Sequence, residues 1–356
     1  MLFVIFAALI TALALLALAR VAGRIGLLDH PDQVRKRHDG AIPLIGGPGI
    51  LIALIAVLLM ATRGQIQPWI PLACIAIAAT LIGAFDDKHD LHAGGRLLGQ
   101  LLLAGVAVFI GGATLTHFGD LLGTGSMLPL GSLGPWIAVG ALAAAMNAYN
   151  MLDGTDGLCA SIALIPVLAL IGTALAAGET PTVVLYALAG ALPVYLVFNL
   201  QPLHGRLPKC FLGDSGATLL GLLVGWMLLT SAQPPDGWLR PVTVLWLAAV
   251  PLFDTLFVMT YRVLHKRSPL SADRNHIHYL LADHGFSRLG VLACVSTLAV
   301  VMAAAGLTMQ YLELPEALSF GLIFLLLITY LPTAVHLHRS RDQALDASYT
   351  EAATDP

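Results

Sequence analysis

The sequence predicts an all-α, polytopic integral membrane protein of about eleven transmembrane helices, with an external N-terminus and a cytoplasmic C-terminus. Three observations predict it. Hydrophobic residues make up 58% of the 356-residue chain and charged residues only 11%. With a mean hydropathy of +0.84, that balance excludes a soluble globular protein. Apolar runs near the length of a bilayer span recur from end to end, and the basic residues between them are shared unevenly between the two sets of loops.

The runs lie at 2–19, 45–62, 68–85, 97–113, 135–149, 159–177, 183–200, 215–231, 242–261, 290–309 and 317–337. Met1–Ala19 has no basic leader and no small-residue cleavage site, so it reads as a retained first helix. The runs at 97–113 and 135–149 are short for a span of about 20 residues, which leaves their ends soft. If the first helix enters from outside, one set of loops holds sixteen basic residues, from Arg20 and Arg24 through Arg339 and Arg341. The other holds only Arg63 and Arg240. This asymmetry fixes the expected orientation, and an odd number of crossings agrees with it.

Residues 1–341 therefore read as a single transmembrane domain, and the polar, acidic stretch 342–356 as a disordered cytoplasmic tail. The segments 114–134 and 231–241, rich in Gly, Pro and Thr, read as external connectors. Cys74, Cys159, Cys210 and Cys294 stand far apart and suggest neither a disulfide framework nor a zinc site. No nucleic-acid signature is present.

The polar motifs all fall on the basic side. The densest is Asn147-Ala148-Tyr149-Asn150-Met151-Leu152-Asp153-Gly154-Thr155-Asp156-Gly157-Leu158. Asn147, Asn150, Asp153 and Asp156 recur every three residues and wind down one side of a helix end into a tight turn. Glycines there let backbone approach a bulky anion, and carboxylates can hold a divalent ion against its phosphates. A single Asp-Gly would be an ordinary turn or N-cap; four such residues in register point to a site.

Asp86-Asp87-Lys88-His89-Asp90 follows the third run directly. On a helical extension Asp86 and Asp90 share a face while Asp87 points about 100° away, so the adjacent pair is expected to serve two roles. Acids at a helix C-terminus oppose the dipole, which favours function over a solvated helix end. Phe211-Leu212-Gly213-Asp214-Ser215-Gly216 opens the eighth run. Asp214 reads as an N-cap or, beside the other acids, as a Mg2+ ligand, and Phe211 as a base-stacking or an interfacial ring.

Asp273-Arg274-Asn275-His276-Ile277-His278 lies in the longest basic loop, where cations beside acids suit a pyrophosphate. A His-x-His pair can bind zinc, but no third close ligand supports that. Asp254, inside the ninth run, needs a partner, with Arg262 two turns on as the nearest candidate in sequence. The first cytoplasmic loop joins a basic run containing Lys36 and His38 to Ile42-Pro43-Leu44-Ile45-Gly46-Gly47. It reads either as a headgroup-contacting segment or as a phosphate loop packed over the site. An ion-coupled transporter is the competing class, but transporters place their sites near the bilayer midplane, whereas these clusters gather at one face.

Taken together, the first-loop D-x-P-x-x-x-R-K-R-H with I-P-L-I-G-G, then D-D-K-H-D, N-A-Y-N-M-L-D-G-T-D-G-L, F-L-G-D-S-G and D-R-N-H-I-H, resemble the polyprenyl-phosphate N-acetylhexosamine-1-phosphate transferases. The motifs extend from Asp29 to His278 in family order. The I-P-L-I-G-G and H-I-H forms are similar to the bacterial branch that moves N-acetylglucosamine 1-phosphate onto undecaprenyl phosphate. The phospho-MurNAc-pentapeptide branch shows a Thr-Pro-Thr-Met-Gly-Gly type loop and three consecutive His, and this chain has neither.

The resemblance implies transfer from UDP-GlcNAc to undecaprenyl phosphate with release of UMP at the cytoplasmic face of a bacterial inner membrane. That reaction starts a lipid-linked envelope polysaccharide such as O-antigen. Another UDP-N-acetylhexosamine, or UDP-MurNAc-pentapeptide, stays open as donor, and a homodimer as assembly. The resemblance implies Mg2+, with Mn2+ able to replace it, on Asp214 and Asn150. Asp86, Asp87 and His276 are the implied catalytic residues, with the division of labour between the two acids left open. Asp153, Gly154, Asp156 and Phe211 would line the uridine site. Arg274, His276 and His278 would contact sugar and diphosphate, and Asn147, Lys36 and His38 would complete the substrate contacts. Where the branch often carries a second consecutive His, this chain has Tyr279, which bears on the sugar contacts. Direct displacement is the preferred mechanism beside a covalent aspartyl intermediate.

Overall fold

Every predicted run is helical, and the helices assemble around one central member. A computed structural model describes residues 1–31, 40–61, 69–201, 206–233, 237–269, 271 and 273–354, with side chains as far as Val335. Helix α1 (Leu2–Ile25) ends at Gly26, whose φ of 74° lets the chain turn back. A two-residue strand β1 (Leu28–Asp29) then pairs antiparallel with β2 (Ile42–Pro43). These are the only named strands among the described residues, so the fold is nearly all-α. There follow α2 (Gly46–Ala61), α3 (Ile70–His89), α4 (Ala93–Phe109), α5 (Gly134–Leu152), α6 (Leu158–Ala176), α7 (Val183–Leu200) and α8 (Gly213–Ser231). The chain closes with α9 (Pro241–Leu247), α10 (Ala249–Leu264), α11 (Ile277–Asp283), α12 (Arg288–Tyr311) and α13 (Glu316–Thr354).

Seven of these helices are long and apolar enough to cross a membrane, and the bent pair α9–α10 makes eight if counted as one crossing. The remaining expected spans, α2, α4 and α5, are helical but shorter or less apolar. The chain is thus an integral membrane protein by its apolar helices. The ninth expected run is not one straight helix: α9 and α10 meet at 75°. Pro251 explains the break, because it has no N–H to give the carbonyl of Leu247 four residues back. Helix α13 continues past its apolar part, which ends at Val335, into the polar residues read above as a tail.

Helix α8 is the hub. Nearly all its residues from Gly213 to Ser231 are buried, and α3, α5, α2 and α6 pack around it. Small residues make this possible. A Cβ on Gly221 would lie 2.5 Å from the Cα of Met146 in α5, so α5 and α8 cross with backbones in near contact. The α3–α8 and α2–α8 crossings use glycine in the same way, and α3 and α5 bring polar residues to the N-terminal end of α8.

Candidate active site

The site begins where α3 ends against the start of α8. Gly83 lies one turn before Asp87, and a Cβ there would come within 2.5 Å of the Asp214 carbonyl oxygen and the Ser215 nitrogen. That approach carries Asp87 onto the first turn of α8. Its Oδ1 accepts from the Asp214 N–H at 2.8 Å and its Oδ2 from the Ser215 N–H at 3.2 Å. Asp87 is therefore a cap supplied by another helix, complementing the positive end of the α8 dipole. Gly213 has φ 71°, and a Cβ there would stand 2.6 Å from Asp87 Oδ2, so this turn needs glycine twice over, for its backbone and for space.

Asn150, in the last turn of α5, donates through Nδ2 to Asp214 Oδ1. The two residues that the resemblance implies as Mg2+ ligands thus lie in direct contact. Asp153 caps the C-terminus of the same helix. Burial first, and then the charges of Asp214, Asp87, Asp156 and Asp29, hold its carboxyl well above the ordinary range. Several acids thus converge at one spot, and the sequence separation between them is bridged only in the fold.

Asp86 makes its contacts elsewhere. It is buried, its Oδ1 accepts from the Leu91 N–H at 2.8 Å, and its Oδ2 lies 3.6 Å from Arg96 on α4. The expectation of two roles for the adjacent acids follows from their 100° separation on the helix, and the structure gives Asp87 to α8 and Asp86 to the α3–α4 turn. Among the described residues the Asn147 side chain makes only a 3.5 Å contact, with Met151 Sδ.

The first loop's Gly-Gly element is a brace rather than a cover. Gly46 N–H donates to Phe211 O at 2.9 Å, Gly47 N–H to Leu212 O at 3.1 Å, and Phe211 N–H to Pro43 O at 2.9 Å. A Cβ on Gly47 would meet the Gly216 backbone. The segment therefore binds the strand-like approach to Asp214 and fixes where α8 starts. Lys36 and His38, in the basic part of this loop, lie outside the described residues.

On the far side of the Gly154 turn, Asp156 Oδ2 accepts from Lys209 Nζ at 2.7 Å, with Arg288 3.7 Å away. Lys209 also sits 5.3 Å from the centre of the Phe211 ring, a cation–π distance. This brings Asp156 and Phe211, both predicted for one subsite, to the same lysine. Gly154 itself lies against the His278 ring, in the space a Cβ would fill.

The His-x-His segment arrives from the other end of the chain. His276 and His278 stack with centroids 5.8 Å apart and planes 6° from parallel. His278 is 1% exposed, and neither ring nitrogen has a hydrogen-bond partner among the described residues. Burial pushes its pKa down to about 4; Asp254 opposes the shift, while His276 and Arg274 add to it. Such a ring is neutral at physiological pH, with unmet hydrogen-bonding capacity at the site. Arg274 lies 3.5 Å from Asp283 and 4.8 Å from the Tyr279 ring centre.

The expected Asp254–Arg262 pair does not form. Asp254 Oδ2 meets His276 Nδ1 at 2.7 Å and Oδ1 accepts from the Ile277 N–H at 2.8 Å. Arg262 instead grips Asp273 through Nε at 2.8 Å and Nη2 at 3.0 Å, with Nη1 on the Pro269 carbonyl. Two turns along one helix place residues on roughly the same face, but each found a partner in the following loop, where the geometry is bidentate.

Among the described residues no three His, Cys, Asp or Glu side chains are grouped as a ready-made metal cage. The donors around Asp214 fit a hard cation better. Mg2+ typically takes one or two protein carboxylates and leaves its other positions to phosphate and water.

Comparison with known proteins now decides the family. An undecaprenyl-phosphate alpha-N-acetylglucosaminyl 1-phosphate transferase of Escherichia coli K12 is 34% identical over 328 residues, covering 90% of this chain and 87% of the relative. The chain belongs to glycosyl transferase family 4. The model of that family matches residues 69–232. Proteins of the same description from Yersinia pestis and Haemophilus influenzae are 34% and 33% identical, over 90% and 92% of this chain and 87% and 92% of their own lengths. The family 4 match runs from the start of α3 to the end of α8, so it holds the Asp87–Asp214–Asn150 cluster and the Asp153–Asp156 turn. The His-x-His loop lies beyond it, but an alignment over 90% of the chain necessarily takes that loop in.

Sequence reasoning missed Gly83, Lys209, Arg288 and the true partner of Asp254. Gly83 had a readable signal, a glycine one turn before a functional acid on the same helix face. Lys209 and Arg288 had none, since both look like ordinary positive-inside residues.

Proposed function

We propose that the chain transfers N-acetylglucosamine 1-phosphate from UDP-GlcNAc to undecaprenyl phosphate, giving undecaprenyl-diphosphate-GlcNAc and UMP. The carrying observation is the gathering of Asp87, Asp214, Asn150 and Asp153 at the N-terminal end of α8. It sits in a chain at least 33% identical, over most of its length, to proteins described as transferases of this kind. The acidic cluster, the cationic Lys209 and Arg288 and the buried His pair all belong to the set of loops and helix ends that carries sixteen of the eighteen basic residues. Positive-inside asymmetry supports a cytoplasmic site, eleven crossings and an external N-terminus in the inner membrane.

Two anions must meet in this reaction. An oxygen of the lipid phosphate bonds to the phosphorus that carries the sugar, and the bond from that phosphorus to the UMP oxygen breaks. In this reading Asp214, with Asn150 beside it, holds Mg2+, which when bound neutralises diphosphate charge. Asp87, by accepting from the Asp214 and Ser215 N–H groups, keeps the start of α8, and with it Asp214, in place beside the phosphates. Lys209 and Arg288 supply further positive charge beside Asp156, and Phe211 offers its ring to the base. His278, neutral and unpartnered, can donate or accept one hydrogen bond to the sugar or diphosphate. Direct displacement suits this machinery, because the protein only positions and neutralises.

The test is UMP release by the purified protein from UDP-GlcNAc and undecaprenyl phosphate, with and without Mg2+, alongside Asp214→Asn. Lipid-dependent and metal-dependent UMP that vanishes in the variant is the expected result. Turnover with a different UDP-sugar alone would change the donor and keep the reaction class. No UMP from any UDP-sugar would overturn the reading.

A further inference from the structure

We propose that Asp254 is a positioning residue for this transfer: it holds His276 in the tautomer with its proton on Nδ1 and leaves Nε2 to face the substrates. The inference rests on the transferase reading above. Asp254 is 2% exposed and His276 4%, so neither group trades its partner for bulk water. The two carboxylate oxygens act on adjacent residues of one segment. Oδ1 takes the backbone N–H of Ile277 at 2.8 Å, and Oδ2 lies 2.7 Å from the ring Nδ1 of His276. An ionised carboxylate only accepts, so the ring nitrogen facing it must carry the hydrogen. With the backbone held as well, the ring can neither turn over nor slide along the segment.

Among the described residues the Asp254 carboxylate takes no further hydrogen bond. Behind it lies a cavity of about 260 Å³ lined by Val250, Phe253, Leu298, Met302, Leu326 and Tyr330, among others. Thr329 and Thr333 also line it, but both hydroxyls bond to carbonyls of their own helix. On the other side stand His278, stacked on His276, and Arg274, which is turned to Asp283 and Tyr279. Arg262, the cation nearest in sequence, is taken up by Asp273. In such apolar surroundings a charge-assisted hydrogen bond is strong, and its geometry is correspondingly fixed. The His276 ring makes no other hydrogen bond among the described residues, so its second nitrogen is the one left for chemistry. This is how second-layer carboxylates set the tautomer of functional histidines elsewhere.

A merely structural carboxylate would cap α11 through the Ile277 N–H and nothing more. Asp254→Asn separates the two roles. Its side-chain oxygen can still accept from Ile277, but its NH2 then faces His276 Nδ1 and drives the ring proton to Nε2. We expect kcat/KM for UMP release to fall roughly 10- to 100-fold, the usual cost of losing such a partner. In a His276→Ala background the same substitution should cost less than about 2-fold, because a residue acting through His276 has nothing left to orient. Ring-nitrogen NMR should show Nδ1–H in the wild-type protein. Losses that multiply in the double variant, or a wild-type ring protonated on Nε2, would overturn the proposal. The tautomer measurement needs no variant, so a misfolded Asp254→Asn protein would not block it. A wild type that releases no UMP from any UDP-sugar would instead sink the transferase reading on which the role depends.

Discussion

Replacing Gly83 by Ala should disable the site without touching a polar group. The added Cβ would lie 2.5 Å from the Asp214 carbonyl oxygen and the Ser215 nitrogen, where ordinary contact starts at 3.4 Å. Both neighbours are backbone and cannot swing aside, so α3 and α8 must separate by about 1 Å. The hydrogen bonds from Asp214 N and Ser215 N to Asp87, now 2.8 and 3.2 Å, would stretch to about 3.8 and 4.2 Å, beyond useful range. Overpacking of this kind costs about 1–3 kcal/mol, and the better helix propensity of Ala returns about 1 kcal/mol. The protein should therefore fold with only a small drop in detergent melting temperature. Turnover should suffer far more, because an error of about 1 Å in catalytic geometry can cost about 100-fold. The assay is UMP release at saturating substrates. Gly105→Ala in α4, where a Cβ meets open space, is the control and should match wild type. Gly83→Ala within about 3-fold of wild-type turnover would refute the reasoning, as would an equal loss in Gly105→Ala.

Further predictions concern charge. Asp87→Asn keeps one acceptor for the α8 N–H groups but removes the negative charge, and UMP release should fall roughly 100-fold or more, with substrate-free melting changed little. For His278, the folded pKa of about 4 lies below its ordinary value of 6.5, so the unfolded chain binds the extra proton first. The stability that its neutral burial contributes is intact above about pH 6.5 and is lost as pH falls towards 4. Melting temperature should decline over that interval, and less steeply in His278→Gln; equal slopes would refute the assignment. Asp273 works in the same direction at lower pH. Burial would raise its carboxyl, but the Arg262 hydrogen bonds and charge, with Asn275, hold it below the ordinary range. That stabilisation is complete above the ordinary Asp value and is lost as pH falls through the folded one. Arg262→Met leaves Asp273 without its buried partner, and a destabilisation of about 3 kcal/mol is expected, measured as a melting shift that Asp273→Asn in the same chain partly reverses.

The helices were legible because apolar composition over roughly a bilayer's thickness has few alternatives in this chain. Their breaks were less so. Pro251 is visible in the sequence, yet a proline can sit in a first turn without bending anything, so the 75° angle between α9 and α10 is seen only in the fold. Among site residues, Asn150 and Asp214 were readable as a pair from the motifs they resemble, and they do touch. The different duties of Asp86 and Asp87 were readable from helix geometry, although which acid went where was not. Ion partners were the weak point. Asp254 could be recognised as needing a counterpart, but its choice of His276 over Arg262 depends on a loop path that local pattern does not encode. The Gly46-Gly47 pair shows the same limit: glycine announces a close approach, and only the fold says that backbone, here that of 211–216, is what approaches.

The two halves of the site are fastened by different physics, and this bears on what each can specify. The Asp87–Asp214–Asn150 half is set by helices whose backbones touch at Gly47, Gly83 and Gly221. Its geometry can change only if whole helices move, and it lies inside the stretch that matches the family 4 model. That rigidity suits a diphosphate, whose charges must be met at fixed positions. The His276–His278 half hangs on a loop outside that stretch, fastened by two buried side-chain attachments, Asp254 to His276 and Arg262 to Asp273. A loop held by side chains can be re-aimed by one or two substitutions while the helices stay as they are. The part of the substrate that differs between related donors is the sugar, and the adjustable half is where discrimination between sugars can be built without disturbing the shared chemistry. Tyr279, packed between His278 and Arg274, is the residue at which that argument is most directly put to the test. Tyr279→His should change the ranking of UDP-sugars more than it changes the dependence on metal.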